Sequence, residues 1–230
     1  MSLEEYEEKE RRRIEINLGH LEKGVDFIDI RAAYIDGSVV IGKGTTIYPG
    51  VILEGCVTIG ENCVIGQNSR IVDSVIGSGT EIQQSVIIES KVGDGTTVGP
   101  FAYLRPNSSV GSRCKVGDFV EVKNSSMADG AKAAHLTYIG DSDVGKDVNL
   151  GCGVVFVNYD GAGKYRSVVK DGAFVGCNVN IVSPVVIGEG AYIAAGSTVT
   201  GDVPAGALCV ARERQRIIEG WSLKKGITKK

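Results

Sequence analysis

The sequence predicts an all-β protein built as a parallel β-helix. Aliphatic residues recur every six positions through most of the 230-residue chain, and glycine, present 32 times, often follows at once. Aromatic residues make up only 6%. A period of six fits neither an α-helix of about 3.6 residues per turn nor a strand of about two. It is typical of short strands separated by a turn in every hexad.

The aliphatic ladder defines the positions predicted to point into the core. Three hexads close one coil of about 18 residues, and successive coils stack roughly 4.8 Å apart. Eight or nine coils are therefore expected between the ends of the ladder. Its members are Ile41, Ile47, Leu53, Ile59, Ile65, Ile71, Ile76, Ile82, Val92, Val98, Leu104, Val110, Val116, Val122, Ala128, Ala134, Val144, Leu150, Val175, Ile181, Ile187, Ile193 and Val199.

Three segments follow from where the ladder begins and ends. Residues 1–30 are predicted to form an N-terminal helix and linker, because 3–23 are highly charged and lack glycine until position 19. Residues 31–210 form the β-helix, and 211–230 a short C-terminal helix with a basic tail. Residues 156–167 break the hexads and are predicted to leave the coil stack as a loop, a common carrier of function.

Composition excludes several classes of function. The net charge of −3 argues against a nucleic-acid partner. No apolar run approaches the roughly 20 residues that cross a bilayer, and the highly charged N-terminus does not predict a signal peptide. The six cysteines form no C-x-x-C pair and no zinc-finger spacing, which predicts a reduced, cytoplasmic protein. They are Cys56, Cys63, Cys114, Cys152, Cys177 and Cys209.

Two cations are predicted to stack on neighbouring coils. Arg105 and Lys123 lie 18 residues apart, and each follows an inward aliphatic residue, so both should leave the core about 5 Å from each other. Like charges at this spacing repel. Either the two side chains splay into solvent, or they hold an anion such as phosphate between them.

One outward imidazole stands among small residues at His135. The only other histidine, His20, lies in the predicted N-terminal helix, so a histidine-ligated metal is not expected. On spacing alone, a packed structural histidine and a general base that takes a proton near neutral pH both stay open.

Small residues recur two positions after inward aliphatics at Cys152, Cys177 and Ala195. If the 156–167 loop inserts about seven residues, the three lie in one column. The column either merely suits a corner of the coil or seats an extended ligand arm.

Five stretches resemble one bacterial family. They are GPFAYLRP, VGDFVEVKNS, KAAHLTYIGDSDVGKDVNLGCGVVFVNYDGAGKYRS, AFVGCNVNIVSPVVIGEGAYIAAGSTVT and ARERQ. The chain resembles the acetyltransferase domain of the bifunctional N-acetylglucosamine-1-phosphate uridyltransferase / glucosamine-1-phosphate acetyltransferase, a hexapeptide-repeat acyltransferase. The similarity covers about 11–220 and is most specific over 99–214. It implies that the β-helix is left-handed.

The resemblance also implies roles for individual residues. His135 matches the general base. The sugar-phosphate ligands match Arg105, Lys123 and Lys164, and the amino-sugar ligands match Tyr138 and Asn149. The acetyl-CoA contacts match Cys152, Asn158, Tyr159, Cys177, Ala195 and Arg212.

The implied activity is acetyl-CoA-dependent N-acetylation of glucosamine 1-phosphate. This reaction is a step in UDP-N-acetylglucosamine, peptidoglycan and cell-wall synthesis. The resemblance also implies a homotrimer with active sites between subunits and no metal requirement. A backbone N–H, that of Cys152 among the candidates, would stabilise the oxyanion. Nothing in residues 1–30 resembles the uridyltransferase half. The sequence therefore predicts either a truncated bifunctional protein or a separate acetyltransferase. The alternatives are acylation of another phosphorylated or nucleotide-linked amino sugar, and a non-catalytic scaffold.

Overall fold

Three parallel sheets wrap around one apolar core, as the period of six predicts. The computed structural model describes residues 1–227. The first sheet has eleven strands, the second ten and the third nine, and each coil contributes one strand to each sheet in turn. This is the predicted β-helix. The first and second sheets have more strands than the eight or nine expected coils, because some of their strands lie outside the aliphatic ladder from Ile41 to Val199.

The strands are two to four residues long. The first sheet contains Asp26–Phe27, Thr46–Ile47, Val64–Ile65, Glu81–Ile82, Thr97–Val98, Lys115–Asp118, Lys132–His135, Asn149–Leu150, Phe174–Val175, Tyr192–Ile193 and Leu208–Cys209. The second contains Tyr34–Ile35, Ile52–Glu54, Arg70–Val72, Val86–Ile88, Tyr103–Leu104, Glu121–Lys123, Tyr138–Gly140, Val155–Val157, Asn180–Val182 and Thr198–Val199. The third contains Val40–Ile41, Thr58–Ile59, Val75–Ile76, Ser90–Val92, Ser108–Val110, Ser126–Met127, Ser142–Val144, Ser167–Val169 and Val186–Ile187.

The core is a ladder of buried aliphatic side chains, but the predicted inward positions are wrong at two places. Met127 and Ala133 are buried, whereas Ala128 and Ala134 are only half-buried. The ladder steps by five residues from Val122 to Met127, because Asn124 closes the corner alone with a left-handed φ of 46°. As a result His135 stands two residues after the inward position, not one.

Helix α1 covers the N-terminal end of the core. It spans Leu3–Glu22 and begins with a capping box between Ser2 and Glu5. Asn17 and His20 are buried, and the Asn17 amide donates to the carbonyl oxygens of Ile30 and Ala33 at 2.8 and 3.1 Å. A short 3₁₀ helix, Ile30–Ala32, follows. The strand Asp26–Phe27 shows that coiling already begins within the segment predicted as linker.

A loop lies between two strands of one coil, in the region where the sequence predicts one at 156–167. It leaves after Val155–Val157 and returns at Ser167–Val169. Asn149 pairs in register with Phe174, 25 residues later, whereas an unbroken coil brings the chain back after 18, as from Thr97 to Lys115. The loop therefore adds seven residues without disturbing the stack above it.

The C-terminal segment contains one short helix. Helix α2 is confined to Trp221–Lys224, and residues 211–219 form no helix. Residues 228–230, the end of the segment predicted as helix and tail, lie outside the described residues. Within residues 1–227, no helix combines the length and the apolar character that crossing a membrane requires.

Candidate active site

Most of the predicted site residues lie along the second sheet and the two corners that flank it, whereas Asn149 lies on the first sheet. We call the corner between the first and second sheets the imidazole corner; it stacks Asp118, His135, Cys152, Cys177 and Ala195. The corner between the second and third sheets, which includes Asn124, Asp141 and Asn158, is called the cation corner. The column predicted from sequence is confirmed, and it also contains His135.

A carboxylate holds the imidazole of His135. Asp118 pairs with His135 in register on the preceding coil, and its Oδ1 lies 2.5 Å from Nδ1 of the ring. The hydrogen bond from His135 lowers the pKa of Asp118 below its usual value. Since the His135 side chain is 56% exposed, the second ring nitrogen, Nε2, remains available for a proton.

Bulky residues in left-handed backbone conformations shape this corner. Phe101, Phe119 and Leu136 have φ values of 59°, 55° and 46°, a region that such side chains rarely adopt. Phe119 and Leu136 directly follow Asp118 and His135, and the Leu136 N–H donates to the Asp118 carbonyl at 2.9 Å. Strain of this kind persists where the surrounding structure enforces it, often at functional sites. The tight turn directs the carboxylate and the imidazole outward together.

Three cations meet at the far edge of the second sheet. Arg105 and Lys123 stack on neighbouring coils, as predicted, because Leu104 pairs in register with Val122. Lys164 reaches them from the inserted loop, and all three line a pocket of about 390 Å³. Glu121 accepts a hydrogen bond from Arg105 at 2.8 Å, which orients the guanidinium. The predicted pairing of two cations is thus a cluster of three.

The two lysines of this cluster influence each other's protonation. The pKa of Lys164 is lowered, first through its contact with Lys123 and then through repulsion by that charge. The pKa of Lys123 is raised, first through the contact with Lys164 and then through the negative charge of Asp141, although burial opposes the rise. A pocket whose cations repel one another is prepared to gain from an incoming anion.

A buried carboxylate organises the cation corner. Asp141 is only 7% exposed, accepts hydrogen bonds from the side-chain amides of Asn124 and Asn158, and lies 3.5 Å from Lys123 Nζ. Burial is the largest influence and raises its pKa, but the two amides and Lys123 together outweigh it, so the pKa is lowered. Asp141 therefore stays charged and joins the lysine to the base of the inserted loop.

The far end of the loop is fastened by an arginine. Arg166 forms a two-pronged ion pair with Asp143 at 2.5 and 2.6 Å, and its Nη1 donates to the Asn124 carbonyl at 2.9 Å. Lys164 is two residues away. With Asn158 held at one end and Arg166 at the other, the loop keeps Lys164 beside the pocket.

The predicted amino-sugar ligands lie between and beside the two corners. Tyr138 stands on the second sheet, one register step above Glu121, and its ring lies across Gly140. A Cβ at Gly140 would lie 2.5 Å from the Tyr138 hydroxyl, so glycine there leaves room for the ring. Asn149 stands on the first sheet, three residues before Cys152, outside the cation pocket.

The predicted acetyl-CoA residues fall into two groups. The column above His135 continues with Cys152, Cys177 and Ala195. Arg212 lies at its end, beside Gly196: a Cβ built on Gly196 would lie 3.6 Å from the Arg212 Cδ. The backbone N–H of Cys152 donates to no acceptor among residues 1–227. In the second group, Tyr159 is exposed on the loop, while the Asn158 amide is engaged by Asp141.

Two further features lie apart from these residues. A larger groove of about 610 Å³ runs between α1 and the first coils, and no predicted site residue lines it. The described part of the chain contains no group of three His, Cys, Asp or Glu side chains that could hold a metal ion.

Sequence reasoning did not single out three carboxylates of the site: Asp118, Glu121 and Asp141. Asp118 stands 17 residues before His135, one short of the coil length. Asp118 could have been found if the five-residue step of the core ladder from Val122 to Met127 had been recognised in the sequence. The partners of Asp141 gave no signal, because they depend on one-residue corners that the hexad count does not show.

The fold and the repeats define a class of protein. The family model described as bacterial transferase hexapeptide (six repeats) matches residues 89–124 and 166–201, and a model described as GMPPB C-terminal domain matches 35–104. The repeats of this chain are therefore of the hexapeptide type that the bacterial transferase model describes.

The sequence relatives are more specific. The chain is 59% identical over 225 residues to the bifunctional protein GlmU of Clostridioides difficile and 55% identical over 228 residues to that of Alkaliphilus metalliredigens. These alignments cover 98% and 99% of the chain but 49% and 50% of the relatives. The chain is thus a homologue of GlmU proteins and spans about half of their length.

A solved structure of similar fold is the UDP-N-acetylglucosamine acyltransferase of Francisella novicida, with 21% identity and a TM-score of 0.42. The alignment covers 85% of this chain and 72% of that one.

Proposed function

We propose that the protein transfers the acetyl group of acetyl-CoA to the amino group of glucosamine 1-phosphate. The observation that carries the proposal is the convergence of Arg105, Lys123 and Lys164 on one pocket, across the second sheet from an imidazole held by a carboxylate. Cations suit a phosphate, and the imidazole suits deprotonation of an amine. Homology to half of bifunctional GlmU proteins supports the same activity.

The reaction needs one proton acceptor and one oxyanion site. Nε2 of His135 takes the proton from the substrate ammonium, and the free amine attacks the thioester carbonyl. The carbonyl oxygen becomes an oxyanion that the unengaged N–H of Cys152 stabilises. The tetrahedral intermediate then collapses to the amide and the CoA thiolate, and the amine's second proton passes to the thiolate. Asp118 keeps Nδ1 occupied and stabilises the protonated ring.

The acetyl-CoA arm is placed along the column of Cys152, Cys177 and Ala195. Their side chains are small, so an extended chain can lie against them, and Arg212 at the end of the column offers a cation to a CoA phosphate. Tyr159 is exposed on the loop and available to a ligand, whereas Asn158 is held by Asp141 at the cation corner, and its contact with acetyl-CoA stays a prediction. This assignment brings the thioester to His135 at the start of the column.

A homotrimer would complete the site. The imidazole corner of the single chain is exposed, with the side chains of His135 and Asp118 open to solvent by 56% and 35%. A neighbouring copy packed against this face would exclude water, which strengthens the charge interactions of the transition state.

The direct test is turnover. Purified protein is supplied with acetyl-CoA and glucosamine 1-phosphate, and the released CoA thiol is followed. Parallel reactions contain unphosphorylated glucosamine, glucosamine 6-phosphate or UDP-glucosamine, and kcat/KM is expected to be highest for the 1-phosphate. Faster turnover of UDP-glucosamine would favour the nucleotide-linked alternative. No turnover of any acceptor at saturation would overturn the enzymatic proposal and leave a scaffold.

A further inference from the structure

Two free cysteines stand side by side on the imidazole corner. Leu150 pairs in register with Val175, and Cys152 and Cys177 each follow two residues later. The backbone continues in register beyond the strands, because the Asn178 N–H donates to the Cys152 carbonyl at 2.8 Å. Coil stacking places the two Cα atoms about 4.8 Å apart. This lies within the roughly 4.4–6.8 Å spanned by disulfides.

Their side chains leave the corner in the same direction. Each cysteine follows a glycine and precedes a residue with left-handed backbone, Gly153 at 76° and Asn178 at 55°. The coils are also tightly apposed here, since a Cβ on Gly151 would lie 2.6 Å from the Cys177 nitrogen. Equivalent backbone on closely packed coils gives parallel, adjacent thiols.

The remaining four cysteines differ in setting. Cys63 and Cys114 are buried, each Sγ bonds a carbonyl oxygen at 3.1 Å, and burial raises the pKa of both thiols. Cys56 is exposed. Cys209 is half-buried, and the residue beside it on the neighbouring coil is Ile193, which carries no thiol. In the single chain Cys177 is exposed and Cys152 half-buried. In a homotrimer, the cleft that the proposed function assigns to acetyl-CoA would also admit a small thiol reagent.

We infer that Cys152 and Cys177 form a reversible thiol-modification site, which closes to an intrachain disulfide by exchange with a small disulfide. The Cys177 thiolate attacks one sulfur of the small disulfide and expels a thiolate. The Cys152 thiolate then attacks the Cys177 sulfur and expels the second. Two electrons pass to the small disulfide, and the protons of the two cysteines pass to the released thiolates.

Closure changes the column that the proposed function assigns to acetyl-CoA, so the inhibitory part of the inference rests on that proposal. The bridge draws two Cβ atoms from a stacking distance of about 4.8 Å to roughly 3.5–4.5 Å. Such strain makes the bond easy to reduce. It also displaces Cys152, whose N–H the proposed function assigns to the oxyanion. Oxidised protein is therefore expected to transfer acetyl groups at least tenfold more slowly until a dithiol reductant restores it.

The test uses glutathione disulfide as the probe, with peptide mass spectrometry after blocking free thiols. Wild type should yield a peptide cross-linked between Cys152 and Cys177, and Cys56→Ser, which keeps both, should do the same. Cys152→Ser and Cys177→Ser should instead stop at a glutathione adduct on the remaining thiol. Wild type that carries glutathione on Cys177 without a cross-link, or that keeps both thiols, would overturn the inference.

Activity is measured on the same samples. Wild type should lose its rate on oxidation and regain it with dithiothreitol, whereas the Cys152→Ser/Cys177→Ser double variant should have the same rate before and after glutathione disulfide. A cross-linked wild type with its full rate would refute the inhibitory part. If the reduced protein shows no acetyl transfer at all, the proposed function fails, while the cross-link is still decided by mass.

Discussion

The two corners of the candidate site differ in how they hold their charges. At the imidazole corner, His135 has one polar side-chain partner, Asp118, and their side chains are 56% and 35% exposed. At the cation corner, the side chains of Lys123 and Asp141 are 18% and 10% exposed and share a network with two asparagines. The exposed corner leaves a ring nitrogen free for proton transfer, whereas the buried corner fixes charges in place for binding. Substitutions should therefore separate chemistry from stability.

The largest effect is expected from His135→Ala. Losing a general base lowers kcat by on the order of 10²–10⁴-fold, and the melting temperature should stay close to wild type because the side chain is exposed. CoA release and thermal unfolding measure the two quantities. A variant that retains the wild-type kcat would remove His135 from the base role and leave the fold unaffected.

Lys123→Ala should affect binding and stability together. It removes a cation from the phosphate pocket and the only lysine paired with buried Asp141 in the described residues. A hydrogen bond to a charged group contributes about 1.5–3 kcal/mol, so kcat/KM for glucosamine 1-phosphate should fall roughly 10- to 100-fold. The midpoint of urea unfolding should fall as well.

The matched control for Lys123→Ala is Lys146→Ala. Lys146 is an exposed cation at the third corner of the next coil. Its loss should leave both kcat/KM and the urea midpoint near wild type. A change of twofold or less in the substrate affinity of Lys123→Ala would argue against a phosphate held by the stacked cations.

Asp141→Asn should loosen the inserted loop. The substituted amide has one NH₂ group, which would face the amide donors of Asn124 and Asn158 and could not accept their hydrogen bonds. The lost hydrogen bond should lower the free energy of unfolding by about 1–3 kcal/mol. Cleavage within residues 158–166 by a protease should accelerate, while Asp118→Asn should leave the cleavage rate unchanged.

The effect of Asp141→Asn should depend on pH in one direction. The folded-state pKa of Asp141 is lowered, so its charge stabilises the fold at pH values above the ordinary aspartate pKa of about 3.9. That contribution is lost as the pH falls through the lowered, folded-state pKa. Urea unfolding at pH 7 and at acid pH should show the difference between variant and wild type shrinking; a constant difference would contradict a charged Asp141.

Asp118→Asn is expected to have the smallest effect. The amide keeps the shape of the carboxylate but not its charge, so it positions the ring and no longer stabilises the protonated imidazole. Because the pair is exposed, kcat should fall by on the order of 10-fold or less, and stability should hardly change. If the rate matched wild type between pH 6 and 9, the charge of Asp118 would not stabilise the protonated imidazole.

The imidazole corner shows how far counting residues can reach. The period of six predicted the β-helix and the column of Cys152, Cys177 and Ala195, which depends on a seven-residue insertion. It misplaced Ala128 and Ala134, because Asn124 closes a corner alone with a left-handed backbone. The equivalent corner of the preceding coil has two residues, Pro106 and Asn107, where this corner has Asn124 alone.

The sequence by itself determined the coil, the core ladder, and the stacking of Arg105 on Lys123, because a repeat in sequence becomes a repeat in space when each coil packs only on its neighbours. The tertiary structure alone decided which carboxylates complete the site. Asp118 meets His135 through a shifted register, and Asp141 meets Asn158 through the base of an inserted loop. These contacts depend on the exact number of residues in each corner, which backbone strain and packing set together.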